Sequence, residues 1–401
     1  MPGFSGGGGG GGGGGNPSTS ASHDVSPIFS TYGVPMAATA AVLGVLTYQA
    51  YRWYHLRSQR ARMLLTRAKS SPGELPLMRP IVMDAAGEEK FRNFVRASKL
   101  PRQLKSALCR DGVFIGNPSK VVALLEKMIA DGSECFQVVT DFDATLTRYH
   151  REGKRCDSSY GILDSNTLLP QWYRDEADRL RKKYYPIELD PLLTIEEKTP
   201  HMKDWWLQAH EALLKTNLHR DWLGKMVQQS SVELREKTGV LFAILEHCNV
   251  PLLIFSAGIG DLIKEVLNQK CTFNKFSPGQ PMIVANYLKF DEKGALKGFA
   301  KELIHTFNKH EVFSHHQTDY FIKHEGRRNV LLMGDMMGDL RMADEMKTKE
   351  NVLTIGFLNS KVEVCFPQYR DSFDIVLIDD QSHDIPIAIV EAVVQSKSPS
   401  A

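Results

Sequence analysis

Short apolar runs alternate with longer segments of helical periodicity over the C-terminal two thirds of the chain. The runs that predict buried strands are residues 136–140, 250–255, 282–285, 330–332, 352–355 and 375–378. Runs of this length, apolar throughout, are typical of strands that are covered on both faces. Because strands that alternate with helices form parallel sheets with right-handed crossovers, the pattern predicts an α/β fold.

A long stretch rich in charged and aromatic residues separates the first two predicted strands. Helical spacing runs from Trp172 to Tyr184 and again from Met202 to Leu214. A further helix, beginning at Asn117-Pro118-Ser119, should lead directly into the first strand. We therefore predict a helical cap inserted into the sheet domain, with the cap at residues 151–234 and the core at residues 114–150 and 235–396.

The N-terminal third differs in character from the rest. Residues 1–33 form a Gly/Ser-rich segment, which predicts a disordered leader. Residues 34–51 carry no charge over eighteen positions, the lower limit for a helix that spans a bilayer, and a basic flank and linker follow at residues 55–113. We assign residues 34–54 to a single membrane anchor, with the catalytic bulk facing the cytoplasm. The alternatives are an organelle-targeting leader, or a buried or interfacial helix in a soluble cytoplasmic protein.

The overall charge and the cysteine content argue against several classes of protein. A formal net charge of +2 over 401 residues is too small to indicate nucleic acid binding. The six cysteines are scattered, without C-x-x-C pairs, so neither a disulfide framework nor a zinc site is expected. We expect a monomer that binds no nucleic acid.

Two carboxylates two residues apart, Asp141 and Asp143, follow the first predicted strand. Ligands of open α/β sheets bind at the carboxyl ends of strands, so this pair lies where a site is expected. Acidic side chains there can hold a divalent cation, and one of them can attack phosphorus. A plain turn or helix cap remains the alternative for this motif alone.

Three further signals follow in the chain. Ser256-Ala257-Gly258 follows an apolar run, and its hydroxyl and backbone N–H groups could approach phosphate oxygens. Lys309 could neutralise a nearby carboxylate and hold a phosphate oxygen, although most lysines are solvated surface residues. Asp335 and Asp339, spaced by glycines, could complete a Mg²⁺ shell at another strand end.

With these residues in place, the chain resembles the cytosolic 5′-nucleotidase III family of the haloacid dehalogenase superfamily. That family acts on pyrimidine and 7-methylguanosine monophosphates. The stretches that carry the resemblance are residues 140–149, 153–156, 183–188, 196–198, 254–261, 290–299, 302–310, 334–344 and 356–359. The resemblance implies a doubly wound, haloacid dehalogenase-like core with an inserted cap, and a Mg²⁺ cofactor.

The same resemblance implies roles for the acidic residues. Asp141 resembles the nucleophile that forms an aspartyl-phosphate, and Asp143 resembles the general acid that protonates the leaving oxygen and then activates water. Asp335 would bind Mg²⁺ together with the Asp141 carboxylate and the backbone carbonyl of Asp143. Asp339 would support that shell, and Thr145, at the end of the D-x-D-x-T motif, is assigned a supporting place.

The substrate contacts are implied in the same way. Ser256, the Ala257 N–H and Lys309 would hold the phosphate, and Glu188 of the cap would recognise the edge of the nucleobase. Trp205 and Trp206 are adjacent, so one of them could stack on the base while at least one packs in the cap core. Ala209 stands where the family often has Ser, which removes a hydroxyl near the base.

The sequence therefore predicts a Mg²⁺-dependent 5′-nucleotidase, with phosphotransfer to a second nucleoside as a side activity. A phosphatase for another small ester, such as phosphoserine, is the nearest alternative. A membrane-tethered scaffold that has lost activity is an alternative of a different class.

Overall fold

The computed structural model describes residues 85–190, 192–271, 281–300, 302–309, 320, 323–344, 346 and 348–395. All of these lie in the second of two compact units, residues 76–401. The predicted leader and the predicted anchor at residues 34–54 lie outside the described residues. Within the described ranges, no helix is both long enough and apolar enough to cross a membrane.

The core is a seven-stranded sheet in the order β1-β11-β10-β9-β2-β5-β6. Its strands are β1 (Val113–Ile115), β2 (Phe136–Thr140), β5 (Leu252–Ile259), β6 (Met282–Asn286), β9 (Asn329–Gly334), β10 (Asn351–Leu358) and β11 (Ile375–Ile378). Six strands are parallel, and β1 pairs antiparallel with β11 at one edge. Two hairpins lie outside this sheet, β3 (His150–Arg151) with β4 (Lys154–Arg155), and β7 (Leu288–Phe290) with β8 (Leu296–Phe299).

Eleven helices accompany these strands in the described part of the chain. They are α1 (Ala85–Ala97), α2 (Arg102–Leu108), α3 (Pro118–Asp131), α4 (Ser159–Asp164), α5 (Gln171–Glu188), α6 (Ile195–Leu214), α7 (Leu223–Gln229), α8 (Thr238–His247), α9 (Gly260–Lys270), α10 (Val362–Ser372) and α11 (Asp384–Gln395). Short 3₁₀ segments add Ser133–Cys135, Arg220–Trp222 and Met337–Ala343.

Apolar side chains cover both faces of the sheet. Val138 and Ile254 point into a large cluster that also contains buried residues of α3, α8, α9 and α11. Val139 and Leu253, one position away, point into a second cluster on the opposite face. Since successive strand residues face opposite sides, an all-apolar run is what such a strand requires. The predicted doubly wound α/β core is confirmed.

The predicted strands are present, with one difference that bears on the site. The runs at residues 136–140 and 375–378 are strands with those bounds, and the helix that follows Asn117 begins at Pro118 with the Asn117 side chain as its cap. The strand predicted at residues 250–255 instead runs from Leu252 to Ile259. Ser256-Ala257-Gly258 therefore lies within β5 and is not a turn that starts a helix. Strand β5 continues beyond Phe255 because Ile259, after a bulge, pairs with Asn286 of β6.

The segment predicted as a basic flank and linker contributes to the core. Phe91 and Val95 of α1, and Leu104 and Leu108 of α2, are buried in the large cluster. Val113, the last residue of that segment, is already in β1. The sheet domain thus extends beyond the predicted boundary at residue 114, because these helices bury an apolar face that the charge pattern concealed.

The segment between β2 and β5 is largely helical, as the pattern predicts. It holds α4 to α8, and α5 and α6 pack against each other. Leu180, Tyr184 and Met202 form a separate small core there, together with Phe307 from the sheet domain. The β7–β8 hairpin, which the sequence pattern did not predict, lies against α6 through His210 and Phe299, whose rings stack at 3.5 Å.

Candidate functional site

Three aspartates meet at the carboxyl ends of two adjacent strands. β2 and β9 pair in parallel with Thr140 opposite Met333, so Asp141 and Asp335 leave the sheet at nearly the same level. Asp339 follows in the 3₁₀ segment. One carboxylate oxygen from each of Asp141, Asp335 and Asp339 lies within 4.8 Å of the others. Parallel pairing is what brings together residues that are almost two hundred positions apart.

Lys309 lies buried between two of these carboxylates. Its Nζ donates to Asp141 Oδ1 at 2.5 Å and to Asp339 Oδ1 at 2.7 Å. Burial opposes a charged ammonium, but the two aspartates outweigh it and raise the pKa of Lys309. The other oxygen of Asp339 accepts the backbone N–H groups of Asp335 and Met336, so Asp339 fixes the loop as well as the lysine.

The cluster has the chemistry of a divalent cation site. Burial and the neighbouring Asp141 and Asp339 raise the pKa of Asp335 well above its usual value. Burial also raises the pKa of Asp141, although the positive charge of Lys309 opposes this rise. One ammonium for three crowded carboxylates leaves net negative charge, and hard cations such as Mg²⁺ bind oxygen ligands of this kind. The residues therefore fit the predicted Mg²⁺.

Asp143 is held from the cap side by Ser159, the first residue of α4. The Ser159 N–H donates to Asp143 Oδ1 at 2.8 Å, and its hydroxyl donates to Oδ2 at 2.5 Å. Loss of water around the carboxyl raises the pKa of Asp143, and both hydrogen bonds oppose that rise. A Cβ at Gly258 would overlap the Ser159 hydroxyl, so the approach requires glycine there. The carboxylate of Asp143 thus has fixed partners, and it lies outside the three-aspartate cluster.

The side of the site that holds the predicted phosphate contacts Ser256 and Ala257 is formed by β5 and its neighbour β6. Ser256 is buried, and its Oγ accepts the Gly258 N–H at 3.0 Å, which leaves the hydroxyl proton free to donate to a ligand. The Ala257 carbonyl accepts from Asn286 Nδ2 at 2.7 Å. Asn286 also exchanges two hydrogen bonds with the backbone of Ile304. It therefore ties the Ser256–Gly258 backbone to the segment that carries Lys309.

Glu188 faces the site from the last turn of α5. Its Oε1 accepts the Thr306 hydroxyl at 2.7 Å, and its backbone carbonyl accepts Lys198 Nζ at 2.8 Å. Burial raises the pKa of Glu188, and the Thr306 hydrogen bond opposes this rise. The cap acid is thus in direct contact with the segment that leads to Lys309.

Aromatic residues line the cap side of the site. The Trp205 ring stacks on Tyr184 with centroids 5.9 Å apart and meets Trp206 edge-on at 5.1 Å. Trp206 donates from Nε1 to the Ala257 carbonyl at 3.3 Å and also meets the Tyr160 ring edge-on. Both tryptophans are half-buried. Both tryptophans therefore pack against the cap core and line the site, and Trp206 also contacts β5.

One cavity of about 870 Å³ joins these groups. The predicted site residues that line it are Asp141, Asp143, Glu188, Trp205, Ala209, Ser256, Ala257, Lys309, Asp335 and Asp339. The volume is within the range of small-molecule sites. The acidic cluster at the strand ends and the aromatic residues under the cap thus line one continuous space.

Thr145 differs from the other predicted site residues. It is fully buried and does not line the cavity, and its hydroxyl has no hydrogen-bond partner among the described residues. Its backbone carbonyl accepts Arg235 Nε at 2.8 Å, and Arg235 also donates to the Ala144 carbonyl and to Asn359. The turn after Asp143, where Ala144 has φ 59°, is therefore fastened by a buried guanidinium.

Four residues of this site were not predicted from the sequence: Ser159, Arg235, Asn286 and Thr306. Asn286 carried a weak signal, since a polar residue ends an apolar strand there. Ser159 follows another serine that caps α4, and the helix start alone does not indicate its contact with Asp143. Nothing local distinguishes Thr306 or Arg235 from other polar residues, because their partners are distant in the chain.

The fold and the site together define a haloacid dehalogenase-like α/β protein. The sheet places an acidic pair and a buried lysine at its carboxyl edge, and a helical cap covers them. Comparisons with known proteins agree with this class and identify a family within it.

Residues 144–394 match the pyrimidine 5′-nucleotidase (UMPH-1) family. A Homo sapiens protein named 7-methylguanosine phosphate-specific 5′-nucleotidase is 41% identical over 288 residues, which cover 72% of this chain and 94% of that protein. The protein of that name from Drosophila melanogaster is 34% identical, with 72% and 89% covered. The crystal structure of cytosolic 5′-nucleotidase IIIB bound to cytidine superposes with a TM-score of 0.64 and 32% identity, covering 74% of this chain and 98% of that one.

The chain belongs to the pyrimidine 5′-nucleotidase family, and it is an enzyme, a 5′-nucleotidase. The inactive scaffold considered from the sequence is thereby set aside.

Proposed function

We propose that this chain is a Mg²⁺-dependent enzyme that hydrolyses nucleoside 5′-monophosphates to nucleoside and phosphate through an aspartyl-phosphate. The observation that carries the proposal is the buried Asp141–Lys309–Asp339 arrangement beside Asp335, at the end of the cavity where a phosphate would bind. The relatives named as 5′-nucleotidases support it.

Asp141 is the proposed nucleophile. One of its carboxylate oxygens attacks phosphorus, a new O–P bond forms, and the bond from phosphorus to the nucleoside 5′-oxygen breaks. Lys309 and the Ser256 hydroxyl hold phosphate oxygens and offset their charge. Asp141, Asp335 and the Asp143 backbone carbonyl would hold Mg²⁺, which when bound lowers the repulsion between the carboxylate and the phosphate.

Asp143 is the proposed general acid and base. It gives its proton to the departing 5′-oxygen, and the resulting carboxylate then accepts a proton from the water that attacks the aspartyl-phosphate. The raised pKa of its carboxyl favours the protonated form that the first step needs. A second nucleoside hydroxyl in place of water would transfer the phosphate to that nucleoside.

Glu188 and the tryptophans are the proposed contacts to the nucleobase. A carboxylate accepts hydrogen bonds from N–H groups. The Watson–Crick edge of cytosine presents its N4 amino group, and that of 7-methylguanine presents its N1–H and its N2 amino group. An indole face attracts a cationic base such as 7-methylguanine by cation–π interaction. The names of the relatives and the cytidine in the structural neighbour support pyrimidine and 7-methylguanosine monophosphates as the substrate class.

We also propose that the catalytic unit is cytoplasmic and active as a monomer. A relative from Caenorhabditis elegans, 32% identical over 313 residues, is named putative cytosolic 5′-nucleotidase 3. The side chains assigned a role above line one cavity of this chain.

The test is a substrate panel with the full-length protein. Phosphate release from cytidine, uridine and 7-methylguanosine monophosphates should exceed that from phosphoserine and should cease when Mg²⁺ is chelated. Asp141→Asn should lower kcat by at least about a thousandfold, because the nucleophile is lost. Faster turnover of phosphoserine, or an Asp141→Asn variant as active as the parent, would refute the proposal.

A further inference from the structure

The end of α5 is fixed at two points on Glu188. Lys198, on the neighbouring helix α6, binds the backbone carbonyl, and Thr306, from the sheet domain, binds side-chain atom Oε1. Among the described residues, the Thr306 hydroxyl is the hydrogen-bond donor to the Glu188 carboxylate. This hydroxyl therefore fixes the position of one of the two carboxylate oxygens.

Thr306 is itself held rigidly. A Cβ at Gly338, in the loop between Asp335 and Asp339, would overlap the Thr306 carbonyl, so the two backbones are in close contact. Asn308 closes the local turn, accepting the His305 N–H at 2.7 Å and donating to the Leu303 carbonyl at 2.8 Å. Side chains mounted on such a fixed backbone lose little further freedom when they bind.

The next residue along the chain joins the same contact. Phe307 is buried in the small core of the cap, beside Tyr184 and Met202. Two consecutive residues of the sheet domain thus contact the cap, Thr306 through its hydroxyl and Phe307 through its apolar side chain. Phe307 positions the cap as a whole, whereas Thr306 acts on a single carboxylate.

We propose that Thr306 is a specificity-determining residue whose hydroxyl orients Glu188 so that the carboxylate selects nucleobases bearing an amino group. This inference rests on the proposed role of Glu188 at the base. With Oε1 bound to Thr306, the remaining carboxylate lone pairs are held in one plane and meet the base edge in one orientation.

The chemistry of the bases gives this orientation a consequence. Cytosine presents an N4 amino group, and 7-methylguanine an N2 amino group, where a fixed carboxylate can accept a hydrogen bond. Uracil presents its O4 carbonyl in the place of the cytosine amino group, and two acceptors facing each other repel. A carboxylate that is free to rotate can avoid that repulsion, so it discriminates less.

The experiment compares Thr306→Val with Thr306→Ser in the full-length chain. Valine keeps the shape and removes the donor, whereas serine keeps the donor. Thr306→Val should lower kcat/KM roughly tenfold for cytidine monophosphate and about twofold for uridine monophosphate, because a hydrogen bond to a charged group is lost. The ratio of kcat/KM for cytidine monophosphate to that for uridine monophosphate should therefore fall about fivefold in Thr306→Val, and Thr306→Ser should keep the parent ratio.

A double-mutant cycle with Glu188→Ala isolates the interaction. If Thr306 acts through Glu188, Thr306→Val should have no further effect on the cytidine-to-uridine ratio once Glu188 is removed. Equal losses for every substrate including ribose 5-phosphate, which has no base, an unchanged ratio in Thr306→Val, or additive effects in the cycle would overturn the inference. Failure of the proposed function would look different, since the parent would then hydrolyse ribose 5-phosphate or phosphoserine as fast as nucleotides.

Discussion

Single contacts decide how the two conspicuous aspartates differ. Asp141 faces Lys309 and Asp335, whereas Asp143, two positions on, faces Ser159 of the cap. Their spacing in the sequence is compatible with several assignments. The distinct partners are what give one carboxylate an ion-pair environment and the other a hydroxyl and a backbone N–H.

Ser159→Ala tests the contact with Asp143. Loss of the hydroxyl should lower kcat roughly tenfold with little change in KM, because the side-chain hydrogen bond to a catalytic carboxylate is lost while the substrate contacts remain. Steady-state kinetics measures both constants. Ser158→Ala is the matched control: Ser158 caps the same helix through the Gly161 N–H, so its loss should cost about 1 kcal/mol of stability and leave kcat near the parent. Equal kcat losses in both variants would indicate a helix effect only.

Lys309→Met tests the buried ion pair. Removing the ammonium leaves Asp141 and Asp339 without their counter-charge, so the free energy of unfolding should fall by roughly 3–5 kcal/mol in metal-free protein. Urea denaturation followed by circular dichroism measures the change. The control, Lys297→Met, breaks an exposed pair with Asp291 and should leave the denaturation midpoint close to that of the parent, because solvent screens such a pair. An unchanged midpoint for Lys309→Met would contradict the burial of this charge network.

Among the secondary-structure elements, the presence of a strand was predicted more accurately than the residue at which it ends or the strand with which it pairs. The apolar runs located all six parallel strands, because burial on both faces leaves an unmistakable pattern. The extension of β5 through Ser256 to Ile259 was missed, since a bulge and pairing with β6 sustain it and small polar residues give no strand signal. Strand β1 was missed because three residues are too few to show a strand pattern. Short helices were expected in the linker that holds α1 and α2, but their burial in the core was missed because charged residues dominate their composition.

Two buried histidines at helix positions predict a pH dependence of stability. Burial lowers the pKa of His383, just before α11, to about 3, and that of His210, on α6, to about 4. The unfolded chain takes up these protons near pH 6.5, whereas the folded protein does not. The stability that the neutral rings contribute is therefore present above pH 6.5 and is lost as the pH falls toward 4.

The His383→Asn variant measures the larger of these effects. Below about pH 6 the parent should lose about 1.4 kcal/mol of unfolding free energy per pH unit on account of His383, and the variant should lack that component of the slope. Urea titrations at several pH values give the slope, whatever the variant's absolute stability. The exposed His201→Asn is the control and should keep the parent slope. Identical slopes in all three proteins would exclude the assignment.

At the scale of the whole molecule, the compact unit of residues 76–401 contains the entire described site. A fragment of those residues should keep kcat/KM for cytidine monophosphate within about twofold of the full-length value, because every cavity-lining residue lies beyond position 140. The same two proteins test the expectation for residues 34–54. An anchor there would make the full-length chain, but not the fragment, sediment with membranes. A fragment that folds but loses most of its activity would show that the first 75 residues contribute to the site.

The sequence by itself determined the α/β class, the parallel strands, the helical insertion and the acidic, serine and lysine signals of the site. Each of these depends on local pattern or on residue chemistry that is visible along the chain. Only the tertiary structure decided which groups meet: Ser159 with Asp143, Thr306 with Glu188, and Arg235 with the turn after Asp143. Such contacts join residues that are distant in the sequence, and they depend on backbone approaches such as those at Gly258 and Gly338. No local periodicity encodes those approaches, because they arise when segments that are distant in the sequence pack together.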